Sequence, residues 1–281
     1  MITIYVDSLN LTNESTGWGV SSIRGLESPS VSVTSFPLSG QDGIDIPSIY
    51  IRERRITIEG FIRKTCLADL SEARQLLSSK VFPVRTANEI LQNKTLRIVI
   101  TDVGDFTIPM QVVGLSMAMT NPLYCRYQLD ILASDFSILS TTGKSATVTK
   151  STGGGLSLPF SLPFSFVGGV DGSASVTNSG DIATYPTIRF NGPLTNPRLY
   201  NDENGLFIQL NTTIDIGDYI IIDTLKKTVL ENGSVNKLST MTENSRWLYI
   251  SPGENTLSLT SGNSGDTGTA VVSFSDAYSA I

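Results

Sequence analysis

The octapeptide Arg55-Ile56-Thr57-Ile58-Glu59-Gly60-Phe61-Ile62 alternates apolar and polar side chains with a period of two. That period sends successive side chains to opposite faces of an extended chain, so it predicts a half-buried β-strand. Ile49 and Ile51 carry the same alternation upstream. The pattern recurs outward in both directions, at residues 2–6 and in Val31-Ser32-Val33-Thr34-Ser35-Phe36. The latter ends at Pro37, which has no amide to give a sheet ladder. Further strands are expected at 96–100, 106–113 and 126–131.

One segment breaks the period. In the stretch from Leu67 to Leu77, apolar residues at 67, 70, 73, 76 and 77 recur at threes and fours. This predicts one helix over about 67–80, laying a single stripe on a sheet. Thr65 is placed to cap it, Asp69 lies near its first turn, and Lys80 suits its carboxyl end.

Residues 140–155, STTGKSATVTKSTGGG, change the composition abruptly. A tract so rich in Ser, Thr and Gly reads as a flexible linker without core-forming power. It divides the chain into residues 1–140, a linker over 141–155, and residues 156–281. The second half reads as all-β. Asn204-Gly205 and Asn232-Gly233 supply the positive φ angles that two-residue hairpin loops need. The apolar run in Asp218-Tyr219-Ile220-Ile221-Ile222-Asp223 suggests a strand buried on both faces, and the spacing of strands and turns indicates a β-sandwich.

Composition narrows the function. The 281 residues carry a formal charge of −6 and no basic run, which argues against a nucleic-acid-binding surface. The densest basic stretch, Arg52, Arg54, Arg55, Arg63 and Lys64, is interrupted by strand-forming apolar residues. It reads as a solvated or subunit-contacting strand face. Cys66 and Cys125 lie far apart and suggest no disulfide framework; both read as small packed residues. The segment Met1 to Asp7 has neither the charge nor the apolar stretch of a signal peptide, and no window approaches a membrane span. A soluble protein with no export signal of its own is expected.

The chain has no histidine, which removes the usual general base and the commonest metal ligand together. No nucleophile motif stands out, so no catalytic residue, cofactor or metal is expected. Gly143-Lys144-Ser145 resembles the end of a phosphate-binding loop, but Ile138 stands where the earlier glycine is required. Asn201-Asp202-Glu203-Asn204-Gly205, with Asp215, Asp218 and Asp223, offers oxygen ligands without the spacing of a regular calcium loop. Trp247 and Tyr249 are the candidate partner or glycan contacts. The competing reading makes Trp247-Leu248-Tyr249-Ile250 one more strand with those two aromatics on one face.

A series of short motifs adds a resemblance. Asn178-Ser179-Gly180-Asp181 is followed by Tyr185-Pro186-Thr187-Ile188-Arg189-Phe190 and Gly192-Pro193-Leu194-Thr195-Asn196-Pro197. Gly217-Asp218, Ile222-Asp223-Thr224, Val229-Leu230-Glu231-Asn232-Gly233, Ser245-Arg246-Trp247 and Pro252-Gly253-Glu254-Asn255 come next. In this order they resemble the C-terminal domain of siphophage distal tail proteins, a galectin-like β-sandwich. Gly154 to Phe160, echoed by Leu162 to Phe166, looks like that family's entry into the domain, and 55–60 followed by one helix resembles its N-terminal ring domain.

The resemblance implies a mainly β protein: an N-terminal β-sandwich or barrel-like ring domain with one α-helix, then a galectin-like β-sandwich. It implies a structural virion protein at the distal end of the tail, assembled in the host bacterial cytoplasm as a homo-hexameric ring. The ring would join the tail tube protein to the tail-associated lysin or tip protein. Its sandwiches would project outward, where some relatives hold receptor-binding proteins. Phage DNA would pass through the lumen without specific binding, and no membrane insertion is implied. The alternative is a carbohydrate-binding β-sandwich contributing to host-surface adhesion.

Overall fold

The computed structural model describes residues 1–27, 29–82, 94–133, 135–150 and 172–281. They form two compact units: Met1–Thr141 with Tyr278–Ile281, and Thr142–Ala277.

The first unit contains β1 (Ile2–Val6), β2 (Leu9–Asn10), β3 (Trp18–Arg24), β4 (Val31–Pro37), β5 (Ile44–Ile51) and β6 (Arg54–Arg63). Then come α1 (Leu67–Val81), β7 (Lys94–Ile100), β8 (Gly104–Asn121), β9 (Tyr124–Ala133) and the start of β10 (Ile138–Thr149). One set of paired strands runs β2-β1-β7-β8-β10 and another β3-β6-β9-β8, so the 18-residue β8 belongs to both. Its first part, Gly104–Met110, pairs with β7, and its second part, from Gln111, pairs with β9. The register shifts between Val112 and Gly114, close to that change of partner. A bulge of this kind bends and twists a strand, which lets one strand turn the corner between two sheets.

The core follows the alternation. Ile56, Ile58 and Ile62 of β6 are buried with Ile4 and Val6 of β1, Leu96 and Ile98 of β7, Ile108 of β8, and Leu129 and Ile131 of β9. Helix α1 adds Leu70, Ala73, Leu77 and Val81, spaced three, four and four residues apart. Leu67 and Leu76, expected on that stripe, are exposed at 52% and 42%. The cap differs from expectation as well: Cys66, not Thr65, occupies the N-cap, its sulfur accepting from the Asp69 amide at 3.5 Å. Cys66 is therefore exposed rather than packed, while Cys125 is buried; both are free thiols.

Gly60 shows why β6 carries a glycine in mid-strand. A β-carbon there would lie 2.4 Å from both the Gly19 carbonyl oxygen and the Tyr127 ring. Without it, the Tyr127 ring crosses β6 and its hydroxyl donates to the Gly19 carbonyl of β3 at 3.2 Å. Burial pushes the Tyr127 phenol well above its ordinary value, so the hydroxyl stays a donor.

The second unit holds the rest of β10 and β11 (Ser173–Asn178), β12 (Thr187–Asn191), β13 (Leu194–Thr195), β14 (Arg198–Asn201) and β15 (Phe207–Gln209). They are followed by β16 (Thr213–Ile214), β17 (Tyr219–Asp223), β18 (Thr228–Glu231), β19 (Val235–Asn236), β20 (Gly253–Thr260) and β21 (Thr269–Tyr278). The order β19-β18-β17-β12-β21-β10 forms one sheet and β11-β20-β14-β15 the other, with β13-β16 as a separate pair. Ile188, Phe190, Ile220, Ile222 and Val272 of the first sheet share one core with Leu199, Ile208, Leu257 and Leu259 of the second. This is a β-sandwich. Both hairpins form, but around loops longer than two residues, 202–206 between β14 and β15 and 232–234 between β18 and β19; φ is positive at Gly205 (71°), Asn232 (48°) and Gly233 (74°) but not at Asn204.

Several expectations are revised. The tract read as a linker over 141–155 is strand as far as Thr149, because Ala146 and Val148 share one face and Val148 is fully buried. The remainder, 151–155, and the motifs at 154–160 and 162–166 lie outside the described residues. β17 is buried on alternate residues, Ile220 and Ile222, rather than on both faces. Residues 246–249 form no regular strand, and Ile250 makes a single bridge to Thr184.

Candidate subunit interface

β4 and β5 form a two-stranded ribbon that pairs with no other described strand. Its base is fastened to the start of β6. The Arg52 amide donates to the Ser30 carbonyl at 2.8 Å, and the Ser30 hydroxyl donates to the Glu53 carbonyl. In the ladder Val31 faces Ile51 and Val33 faces Ile49. After a register shift at Thr34/Phe36, Phe36 faces Asp45. Directly opposed residues share a face, so Val31, Val33, Ile49 and Ile51 line one side of the ribbon, and Phe36 lies on the other. All four are exposed, at 51% to 60%.

Of 23 large hydrophobic residues exposed in the described chain, nine lie between Val31 and Ile51. An isolated two-stranded hairpin is marginal in water. A continuous apolar face of this kind marks an interaction surface rather than scattered surface leucines.

The basic stretch upstream of the helix splits by parity. Arg54 shares the inward face of β6 with Ile56 and Ile58 and is fully buried, which corrects its reading as a surface residue. Its guanidinium donates to the carbonyls of Gly25 (2.9 Å), Leu26 (2.9 Å), Phe136 (2.8 and 3.0 Å) and Ser279. Burial lowers its pKa, opposed by the charge of Glu27. Arg55 is exposed and pairs with Glu53 at 3.1 Å. Arg63 and Lys64 line a groove of about 590 Å³ with Asn121, Pro122, Leu123 and Tyr124, between the β6–α1 and β8–β9 turns.

The remaining candidate motifs resolve individually. Lys144 lies on β10, with its ammonium 2.8 Å from Asp276 and donating to the Thr177 carbonyl (2.8 Å) and the Ser179 hydroxyl (2.9 Å). Among the described residues no phosphate cradle surrounds it. The acidic residues of the second unit are dispersed onto separate partners: Asp202 on Ser258, Asp218 on Asn232, Asp223 on Lys226. No group of three or more potential metal ligands occurs among the described residues.

Trp247 packs against the sandwich core, and Tyr249 meets the half-exposed Tyr185 ring edge-on at 6.5 Å. The two sequence-predicted aromatics alternate with the buried Leu248 and Ile250, as expected of an extended segment. Neither the free ribbon face nor the buried Arg54 is apparent from composition.

Residues 179–278 match the family model described as "Siphovirus-type tail component, C-terminal domain". That match covers most of the second unit, about a third of the chain. The chain as a whole has the fold of a Dit hub protein. It is similar to the crystal structure of SPP1 Dit (gp 19.1), described as a paradigm of the hub adsorption apparatus in phages infecting Gram-positive bacteria. That likeness has a TM-score of 0.70, 15% identity and coverage of 99% of both chains. Chains of the phage P2 baseplate in its activated conformation are similar over 97% of this chain and 98% of theirs. Their TM-scores are 0.52 with calcium and 0.51 with strontium, at 10% and 11% identity. No curated protein sequence matches the chain.

Proposed function

We propose that the protein is a distal tail hub of a siphovirus-type phage, six copies of which close into a ring at the end of the tail tube. The observation that carries this reading is the ribbon β4-β5. In a chain with the fold of a phage hub, a rooted hairpin with a largely apolar, uncovered face is best explained as a contact between copies. A contact between two different patches of the same chain closes into a ring when its rotation permits. Such closure also covers strand edges that would otherwise invite aggregation.

On this reading the first unit builds the ring and the second, the sandwich, projects outward toward adhesion proteins. The ring joins the tail tube protein to a tail-associated lysin or tip protein within the virion, after assembly in the host cytoplasm. DNA passes through its lumen without specific recognition, in keeping with the acidic balance of the chain.

The test is native mass spectrometry of the full chain beside a variant in which residues 31–51 are replaced by a short Gly-Ser turn. The reading expects hexamers from the former and folded monomers from the latter. Hexamers that survive the replacement would remove the ribbon from the interface.

A glycan contact through Trp247 and Tyr249 is the competing reading. The core packing of Trp247 supports a structural role for that side chain. Replacing Tyr185 and Tyr249 together by alanine leaves assembly intact on the hub reading; glycan binding that disappears in this variant would favour adhesion instead.

A further inference from the structure

The ribbon needs a receiving surface, and one groove of the first unit has the matching chemistry. Between Val31 and Ile51 the chain carries no Lys or Arg, and its acidic groups, Asp42 and Asp45, lie at and beside the exposed tip. The groove beside the β8–β9 turn has the opposite character. Pro122, Leu123 and Tyr124 supply apolar walls, and Arg63 and Lys64 supply two cations. No carboxylate lines it. Leu123, 43% exposed, and the nearby Met119, 46% exposed, continue the apolar surface.

The geometry separates the two surfaces within one copy. The ribbon is rooted at Ser30 and Arg52, beside the start of β6, whereas Arg63 ends that strand. Ten extended residues place these ends about 30 Å apart, at about 3.3 Å per residue. The ribbon strands have seven and eight residues and reach about 25 Å. The ribbon face and Leu123 both stay exposed in the single chain. Two complementary patches at opposite ends of one unit define a head-to-tail contact, the kind that generates rings.

We propose that the β4-β5 ribbon of each copy docks in the Arg63–Leu123 groove of the next, with Asp42 and Asp45 facing Arg63 and Lys64. The apolar face drives the association and the charges set its register and direction. This rests on the hub reading and specifies its interface.

A charge swap in the full chain tests it. Asp42→Lys with Asp45→Lys, and separately Arg63→Glu with Lys64→Glu, each weaken assembly at least tenfold in light-scattering titrations. The fourfold variant recovers most of that loss. Thermal melts matching the wild type show that the variants fold. Ile49→Asp serves as a reference that breaks the apolar contact itself.

If Ile49→Asp disperses the assembly but Arg63→Glu with Lys64→Glu does not weaken it, the ribbon docks elsewhere: the groove assignment fails and the hub reading stands. Loss of assembly in both charge variants without recovery in the fourfold one overturns the pairing likewise. A wild-type chain that stays monomeric throughout the titration overturns the hub reading itself.

Discussion

Arg54 and Ser279, 225 positions apart, are joined by a hydrogen bond from the buried guanidinium to the Ser279 carbonyl. The same guanidinium holds the carbonyls of Gly25, Leu26 and Phe136. One side chain thus ties the segment before the ribbon, the segment before β10 and the carboxyl-terminal residues into the first unit. The adjacent Tyr278 ring packs edge-on against Phe106 at 5.4 Å and secures the same return of the chain.

Replacing Arg54 by alanine strands several buried carbonyls, each costing about 1–3 kcal/mol. Because these losses overlap, the first unit should lose about 3–5 kcal/mol in all. Denaturant unfolding followed by Trp18 fluorescence, in a Trp247→Phe background, reads that unit alone, since Trp18 is buried in its core. Arg54→Lys keeps the charge but not the planar fork, and should recover only part of the loss.

Gly60→Ala should destabilise the first unit by about 1–3 kcal/mol, because the new β-carbon collides with Tyr127 and the Gly19 carbonyl. Tyr127→Phe removes one buried hydrogen bond and costs about 1 kcal/mol. The two groups meet, so a double-mutant cycle should show effects that do not add.

Asp105 on β8 accepts from Arg97 on β7 at 2.5–3.1 Å, and this hydrogen bond holds its carboxyl below the ordinary value of 3.8. Its folded pKa is the lower one, so its contribution is present above about pH 4 and fades as pH falls through the folded value. Acid titrations of stability should therefore show a shallower decline below pH 4 for Asp105→Asn than for the wild type. An unchanged slope would mean that the pair adds nothing.

Backbone amides of β4 and β5 should exchange rapidly in the monomeric charge-reversed protein, since an uncovered two-stranded ribbon opens readily. In the assembled wild type the same amides should be protected. Hydrogen exchange read by mass spectrometry resolves this peptide by peptide.

The alternation in 55–62, the spacing of Leu70, Ala73 and Leu77, and both Asn-Gly turns were legible because each encodes local geometry in the order of residues. Arg54 was misread through its charge, although its parity with Ile56 and Ile58 pointed inward. β10 was masked by Ser, Thr and Gly, yet Ala146 and Val148 keep the strand period. The exposure of the ribbon is not legible for a different reason. Val31, Val33, Ile49 and Ile51 alternate as a core strand does, and nothing in that pattern says whether the covering surface belongs to the same chain. Which copy buries an apolar face is a property of the assembly, and single-chain periodicity does not carry it.

On the hub reading, identical copies close into a ring through the first unit. Electron-microscope images of the purified full-length protein test it most directly. Closed rings of six copies around an open centre, with the sandwiches at the periphery, are expected. Monodisperse single copies, or open filaments without closure, would contradict it.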